Sequence, residues 1–241
     1  RAAAPAFRVA GDAIAEAVAA IVHPLNRDAA RSATPHLLAA CARHGVDDDA
    51  QFAYLLATAE HETNFGRAME EIWRDSAFQL GYEGNPSNEK PGDGKRYKGR
   101  GFVQLTFREN YRKFGRALGI PLEDEPERAA EPEVAAEIIA AGMAEIGFRH
   151  PRLVLERYGY RDDFEFDRAR DIINADRSRF ESRYQTTVGA GVGRRARAFY
   201  EALNGIACAG QTAGSPSGAT PYINSIAPGQ QSAYPGDLAL E

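Results

Sequence analysis

Apolar residues recur at three- and four-residue spacing between residues 50 and 63, which predicts an amphipathic helix. One stripe of this helix carries Phe52, Leu55, Leu56, Ala59 and Thr63. Because successive helical residues are about 100° apart, Glu62 lies about 65° from the middle of the stripe. We therefore expect Glu62 at the edge of the core, where partial loss of solvent favours the protonated form of a carboxyl group.

The same analysis predicts a mainly α chain with few other elements. Helices are expected at residues 9–22, from Thr34-Pro35 to about His44, and at 108–118, 133–147, 167–174 and 194–203. Phe102 to Thr106 is expected to form a short strand, residues 67–82 hold apolar residues without a clear period, and residues 83–101 are expected to be a loop. We divide the chain into an N-terminal helical extension (1–34), a central domain (35–204) and a tail (205–241).

The tail is rich in Gly, Ser and Pro, and its few large apolar residues show no period. It is not expected to form a core of its own or to supply catalytic groups. Two cysteines are present. We interpret Cys41 as a small buried apolar residue, with a Cys41–Cys208 disulfide as the alternative.

Charge and hydropathy exclude some classes of function. The net charge of −5 argues against a nucleic-acid-binding protein, and the longest apolar stretch, residues 13–22, is too short to span a membrane. The charge is uneven: residues 83–116 hold nine Lys or Arg against four acids, and residues 121–145 hold eight acids against one Arg. The basic block is either a solvated face or a surface for an anionic polymer.

The segment from residue 92 to 111 carries the most informative chemistry. Its glycines disfavour a helix, and they are followed at once by neutral hydrogen-bonding side chains, namely Gln104, Thr106, Asn110 and Tyr111. Such side chains suit a ligand rich in hydroxyl and amide groups. The expected helix carrying Glu62 lies about thirty residues upstream, and together the two segments are typical of a sugar-cleaving site.

These residues resemble glycoside hydrolase family 19, which contains chitinases and lysozyme-like phage endolysins. The resemblance rests on His61-Glu62-Thr63, Gly92-Asp93-Gly94, the block from Gly99 to Thr106, and Asn110-Tyr111, and it runs from about Pro35 to Leu203. It implies a lysozyme-like helical domain with a short β element, a substrate cleft and no cofactor or metal. Other motifs fail, because a zinc-protease helix would need histidine at position 65, which is phenylalanine.

Glycoside hydrolysis normally uses two carboxyl groups, one protonated and one ionised. The resemblance implies Glu62 as the acid and Glu71, beyond the break at Asn64-Phe65-Gly66, as the base. Glu70 is the rival for the base, and both could be surface acids. The family reaction inverts the anomeric centre, which predicts carboxyl groups about 6.5–9.5 Å apart.

The resemblance also implies roles for residues around the two acids. Thr106 matches the hydroxyl residue that places the attacking water. Substrate contacts are expected from His61, Tyr97, Arg100, Gln104, Asn110, Tyr111 and Asn174. Tyr97 and Arg100 could instead be structural. The sequence departs from the family where Ala175-Asp176 replaces a glycine after Asn174, and where Phe107 replaces a common glycine.

The expected function is therefore a peptidoglycan hydrolase, an endolysin-like muramidase that is secreted or delivered to the bacterial cell wall. Chitinase activity is the alternative, and a non-catalytic wall- or chitin-binding module is an alternative of another class. We expect a monomer that binds peptidoglycan or chitin, with no nucleic-acid partner.

Overall fold

The computed structural model describes the backbone of residues 5–212 and the side chains of residues 11–206. Over this part of the chain the fold is mainly α, as expected. The α-helices are α1 (Pro5–Ile21), α2 (Arg27–Arg43), α3 (Asp49–Thr63), α4 (Ala77–Leu80), α5 (Asp93–Arg96), α6 (Arg108–Leu118), α7 (Pro132–Ala141) and α8 (Val188–Thr212).

Short helical turns and one small hairpin connect the α-helices. The 3-10 turns are Pro24–Asn26, Gly81–Gly84, Pro126–Ala130, Leu155–Tyr158, Arg161–Asp163 and Arg168–Ile172, and a π-helical turn, Gly142–Ile146, extends α7. The hairpin pairs β1 (Phe180–Glu181) with β2 (Thr186–Thr187) in antiparallel register.

Helix α3 is the centre of the core. Every residue from Ala50 to Ala59 is buried, and α3 packs mainly against α8, while α2 packs against α1 and α7. The helix is therefore buried on all sides and not along one stripe as expected, and its buried polar residues Gln51 and Thr58 donate to the carbonyls of Gly159 (3.0 Å) and Tyr54 (3.0 Å). Asp48 caps its start by accepting hydrogen bonds from the N–H groups of Ala50 (3.0 Å) and Gln51 (3.1 Å).

The expected helix start at Thr34-Pro35 is wrong, because α2 begins at Arg27 and contains Pro35. Thr34 lies inside this helix, and its hydroxyl donates to the carbonyl of Ala30 at 2.7 Å. Proline normally costs about 3 kcal/mol in a helix interior. Here α2 continues through it, and buried Ala30, Ala33 and Leu37 on both sides of the proline fix its path against the core.

The expected strand from Phe102 to Thr106 is also wrong. These residues form a turn with isolated bridges from Arg100 to Glu70 and to Leu105. Gln104 has φ 52°, which turns the chain back too soon for a strand ladder to form. The β element of the fold is instead the hairpin at residues 180–187.

Other helix boundaries differ in instructive ways. Helix α6 is confirmed, with Gly119 closing it in the left-handed conformation (φ 66°). The expected 133–147 helix changes to a π turn at Gly142, where the ring of Phe148 packs against the glycine. The expected 167–174 helix is only a 3-10 turn, and α8 extends past Gly205 to Thr212.

The domain boundaries at residues 34 and 204 stay predictions. Residues 213–241 of the expected tail, and the side chain of Cys208, lie outside the described residues. Cys41 is free and fully buried in the core. None of the helices within residues 5–212 combines the length and the apolar character that a membrane crossing requires.

Candidate active site

Glu62 lies in the last turn of α3, at the edge of the core. Asn64 ends the helix in the left-handed conformation (φ 50°), and its side-chain oxygen accepts a hydrogen bond from Asn26 Nδ2 at 3.0 Å. The Glu62 side chain is 18% exposed, and its Oε1 accepts a hydrogen bond from Arg170 Nη1 at 2.5 Å. The carboxyl group is therefore oriented by a buried partner.

Arg170 is the functional residue that the sequence analysis missed. It lies in the Arg168–Ile172 turn, its side chain is 2% exposed, and Asp176 binds it through two hydrogen bonds of 2.7 and 3.2 Å. Burial alone would lower the pKa of Arg170, but its bonds to Asp176 and Glu62 raise it. Burial alone would raise the pKa of Asp176, but Arg170 and Arg179 lower it. Arg170 thus links Glu62 to Asp176 through hydrogen bonds to both carboxyl groups.

Glu71 lies in the irregular segment that follows α3. Its backbone N–H donates to the carbonyl of Gly99 at 2.8 Å, and its Oε2 accepts from the N–H of Gly99 at 3.0 Å. Its Oε1 accepts from Gln79 Nε2 at 2.9 Å, with the hydroxyl of Tyr82 at 3.5 Å. The Gly99 N–H, the Gln79 amide and the Tyr82 hydroxyl all donate to the carboxylate and hold it in one orientation.

Glu70, the rival for the base, has a different environment. Its side chain is 48% exposed and pairs with Lys98 (3.2 Å) and Arg100 (3.1 Å). Burial alone would raise the pKa of Glu70, but the hydrogen bonds and charges of Lys98 and Arg100 lower it. Because two cations already neutralise it, Glu70 is the weaker acceptor for a proton from water.

The turn from Gly99 to Thr106 connects the two glutamates. Thr63, next to Glu62, donates from its hydroxyl to the carbonyl of Phe102 at 3.4 Å, while Glu71 binds Gly99 at the start of the turn. A Cβ atom at position 99 would come within 2.8 Å of Gln104 Oε1, so that the Gln104 side chain packs directly over the glycine. The structure therefore brings the end of α3 and the Glu71 segment onto one turn.

Three of the expected polar residues lie on this turn or just after it, partly exposed. Thr106 Oγ1 donates to the carbonyl of Gln104 at 2.8 Å, and Asn110 Nδ2 donates to the carbonyl of Thr106 at 2.8 Å. Gln104 Nε2 donates to the carbonyls of Ala68 and Gly101, both at 3.2 Å. Each side chain therefore keeps its oxygen available as an acceptor.

Tyr97, Tyr111 and Arg100 form the interior of this region, which corrects their expected role as substrate contacts. Both tyrosine side chains are fully buried, and their hydroxyls donate to the carbonyls of Glu123 (2.8 Å) and Lys98 (2.7 Å). Arg100 is also buried, with Nη1 3.1 Å from the Tyr111 hydroxyl. These side chains support the turn from beneath, and for Tyr97 and Arg100 this is the structural alternative stated above.

His61 and Asn174 lie near Arg170 and away from the turn at residues 99–106. The His61 ring stacks on Tyr184 and bonds its hydroxyl at 2.8 Å, with Arg183 Nη2 at 2.9 Å. Burial and the charges of Arg170 and Arg183 lower the pKa of His61 to about 3, so that the ring is neutral. Asn174 is exposed, and its Oδ1 accepts from the N–H of Ala175 at 2.8 Å.

The basic and acidic blocks neutralise each other in part. Arg108 and Arg112 bind Glu123 at 2.9 and 2.8 Å, and hydrogen bonds from Arg112 and Arg108 lower the pKa of Glu123 to about 2. Part of the basic block is therefore structural. Within the described side chains, no three His, Cys, Asp or Glu residues are grouped to hold a metal ion.

Comparison with solved structures identifies the class of fold. The crystal structure of chitinase C from Streptomyces griseus HUT6037 is similar over 80% of this chain and 94% of that chain, with 19% identity and a TM-score of 0.50. A chitinase C mutant is similar over 83% of this chain and 69% of that chain, with 15% identity and a TM-score of 0.44. No family model and no curated protein matches the chain. The chitinase C similarity confirms the fold that the resemblance to glycoside hydrolase family 19 implies.

Proposed function

We propose that this protein is a glycoside hydrolase that cleaves a β-1,4-linked polysaccharide containing N-acetylglucosamine, with Glu62 as acid and Glu71 as base. One observation carries the proposal. Thr63, beside Glu62, and Glu71 itself both bind the turn that begins at Gly99, although they come from different segments. Two carboxyl groups in unlike environments are what this reaction needs.

The environments suit the two roles. Glu62 donates a proton to the leaving glycosidic oxygen, with its carboxyl group oriented by Arg170, which Asp176 holds in turn. Glu71, bound only by donors, takes a proton from a water molecule that attacks the anomeric carbon. The hydroxyl of Thr106, which donates to the carbonyl of Gln104, accepts a hydrogen bond from that water. The configuration at the anomeric carbon is inverted; Glu71 then releases its proton to solvent, and Glu62 regains one from solvent.

The proposed substrate is peptidoglycan, cleaved between N-acetylmuramic acid and N-acetylglucosamine, and the proposed site of action is the bacterial cell wall. The segment from Glu60 to Gly66 supports this choice, because it resembles endolysins more than plant chitinases. Chitin is the second candidate, favoured by the fold shared with chitinase C. A binding module without turnover is the alternative of another class.

Parallel assays on purified bacterial walls and soluble chitin oligomers test the proposal. The wild-type protein should clear wall suspensions faster than it releases products from chitin oligomers. Glu62→Gln should lower the rate by about 10²- to 10⁴-fold, the usual contribution of a general acid, with an unchanged circular dichroism spectrum. If the protein cleaves neither polymer, the non-catalytic binding module is the remaining alternative. Wild-type turnover by a folded Glu62→Gln protein would refute the role of Glu62 as the acid.

A further inference from the structure

Phe107 has an unusual backbone for a residue with a side chain. It directly precedes α6 with φ 74° and ψ 139°, a conformation that glycine adopts freely and other residues rarely adopt. Its N–H donates to the carbonyl of Tyr97 at 2.9 Å, a bond that glycine would make equally well. What phenylalanine adds at this position is its ring.

The Phe107 ring belongs to an aromatic cluster formed by Trp73, Phe78, Tyr82 and Phe107. It meets Tyr82 edge-on at a centroid distance of 5.3 Å, and Tyr82 contacts Phe78 at 5.4 Å and Trp73 at 6.0 Å. Three members come from the segment that follows Glu71, and only Phe107 comes from the start of α6. Phe107 is therefore the aromatic link between that segment and the turn bearing Thr106.

Tyr82 carries this link to Glu71. Its hydroxyl is 3.5 Å from Glu71 Oε1, the oxygen that also accepts from Gln79. Its carbonyl accepts from Asn88 Nδ2 at 2.8 Å, and Asn88 Oδ1 accepts from the N–H of Arg108 at 2.9 Å. The Tyr82 ring thus contacts Phe107, and the Tyr82 backbone is linked through Asn88 to Arg108, the first residue of α6.

We propose that Phe107 is a positioning residue for Glu71. Its ring fixes Tyr82, so that the Tyr82 hydroxyl and the Gln79 amide orient the Glu71 carboxylate, and the strained backbone is retained for this purpose. The proposal rests on the proposed function, in which Glu71 is the base. It assigns a positive role to a residue that departs from the glycine common in the family.

The single tryptophan of the chain, Trp73, gives a test that does not depend on activity. Phe107→Gly should increase acrylamide quenching of Trp73 fluorescence, because the Tyr82 ring loses its contact with the Phe107 ring and packs less firmly against Trp73. Arg161→Gly is the matched control, since Arg161 also has a positive φ (50°) but contacts none of the cluster residues, and quenching should stay at the wild-type value. Unchanged quenching in Phe107→Gly would overturn the proposal.

Kinetics on whichever polymer the protein cleaves faster distinguish a misplaced Glu71 from a general loss of stability. Phe107→Gly should lower kcat by about 10- to 100-fold with a nearly unchanged KM, the effect expected of a misplaced catalytic group. Phe107→Tyr, which keeps the ring, should restore kcat. In a Tyr82→Phe background Phe107→Gly should lower kcat much less, because both substitutions act on one hydroxyl.

Two results would overturn the proposal in an active protein: a wild-type kcat for Phe107→Gly, or the same fall in kcat with and without the Tyr82 hydroxyl. A wild-type protein inactive on both polymers would instead refute the proposed function. The quenching comparison would then decide by itself whether Phe107 fixes Tyr82.

Discussion

Glu62 and Glu71 are held by very different kinds of structure. Glu62 lies in the last turn of a helix that is buried from Ala50 to Ala59, and its partner Arg170 is itself buried. Glu71 begins a segment of short helices that exposes Ile72, Phe78 and Leu80, and it is held mainly by hydrogen bonds to Gly99 and Gln79. The acid is therefore positioned by folding of the core, whereas the base depends on a few local contacts.

This difference predicts separable effects. Substitutions beside Glu71 should change activity while leaving the stability of the fold nearly unchanged. Substitutions of the partners of Glu62 should lower activity and stability together.

The largest effect is expected at Glu71, which lies in the irregular segment after α3. Glu71→Gln should lose about 10²- to 10⁴-fold in turnover because the base is removed, and its melting temperature should stay close to that of the wild type. Glu70→Gln is the matched control, with most activity retained, since Glu70 is already paired with Lys98 and Arg100. The reverse pattern would move the base to Glu70.

The next largest effect is expected at Asp176, which holds the Arg170 partner of Glu62. Asp176→Asn removes one of the two carboxylates that hold Arg170, so that Arg170 orients Glu62 less firmly and turnover should fall about 10-fold or more. Stability should fall by about 1–3 kcal/mol, measured by urea unfolding.

The neighbouring Asp171→Asn serves as control for Asp176→Asn. Asp171 pairs with partly exposed Arg177 at 3.3 Å, so that both activity and stability should change little. Loss of activity without loss of stability in Asp176→Asn would contradict the expectation that substitutions of the partners of Glu62 lower activity and stability together.

A smaller effect is expected far from both glutamates. His44 bridges Glu137 (2.7 Å) and Glu145 (3.0 Å); burial alone would lower its pKa, but these carboxylates raise it. Because folding raises the pKa of His44, its ion pairs contribute their full stability below the pKa of an unfolded histidine, about 6.5. This contribution is lost as the pH rises through the pKa of His44 in the folded protein.

Comparison of wild-type and His44→Gln melting at pH 6 and pH 9 measures this contribution. The wild type should be more stable by about 1.5 kcal/mol at pH 6 and by less at pH 9, with equal kcat for the two proteins at each pH. A difference that grows with pH would contradict the ion pairs.

The sequence was sufficient for the features that depend on local pattern. Helices α3 and α6 follow from apolar periodicity, and the edge position of Glu62 follows from helix geometry alone. The resemblance correctly implied the class of fold. These features need no knowledge of which distant segments meet.

Features that depend on distant contacts were missed or misplaced. Arg170 lies 108 residues from Glu62, and nothing in its own segment indicates that partner. Tyr97 and Tyr111 were expected in the cleft because of their residue type, whereas packing buries both. Pro35 lies inside α2 because core contacts on both sides of it outweigh its local preference. Tertiary packing decided each of these cases.

The anomeric form of the first product tests the central claim most directly. Proton NMR of a soluble oligosaccharide substrate, recorded within the first minutes of cleavage, distinguishes α from β reducing ends before they equilibrate. An acid at Glu62 and a base at Glu71 acting through water predict that the α anomer forms first from the β-linked substrate. Initial formation of the β anomer would mean retention of configuration and would contradict the two-carboxylate, water-mediated account.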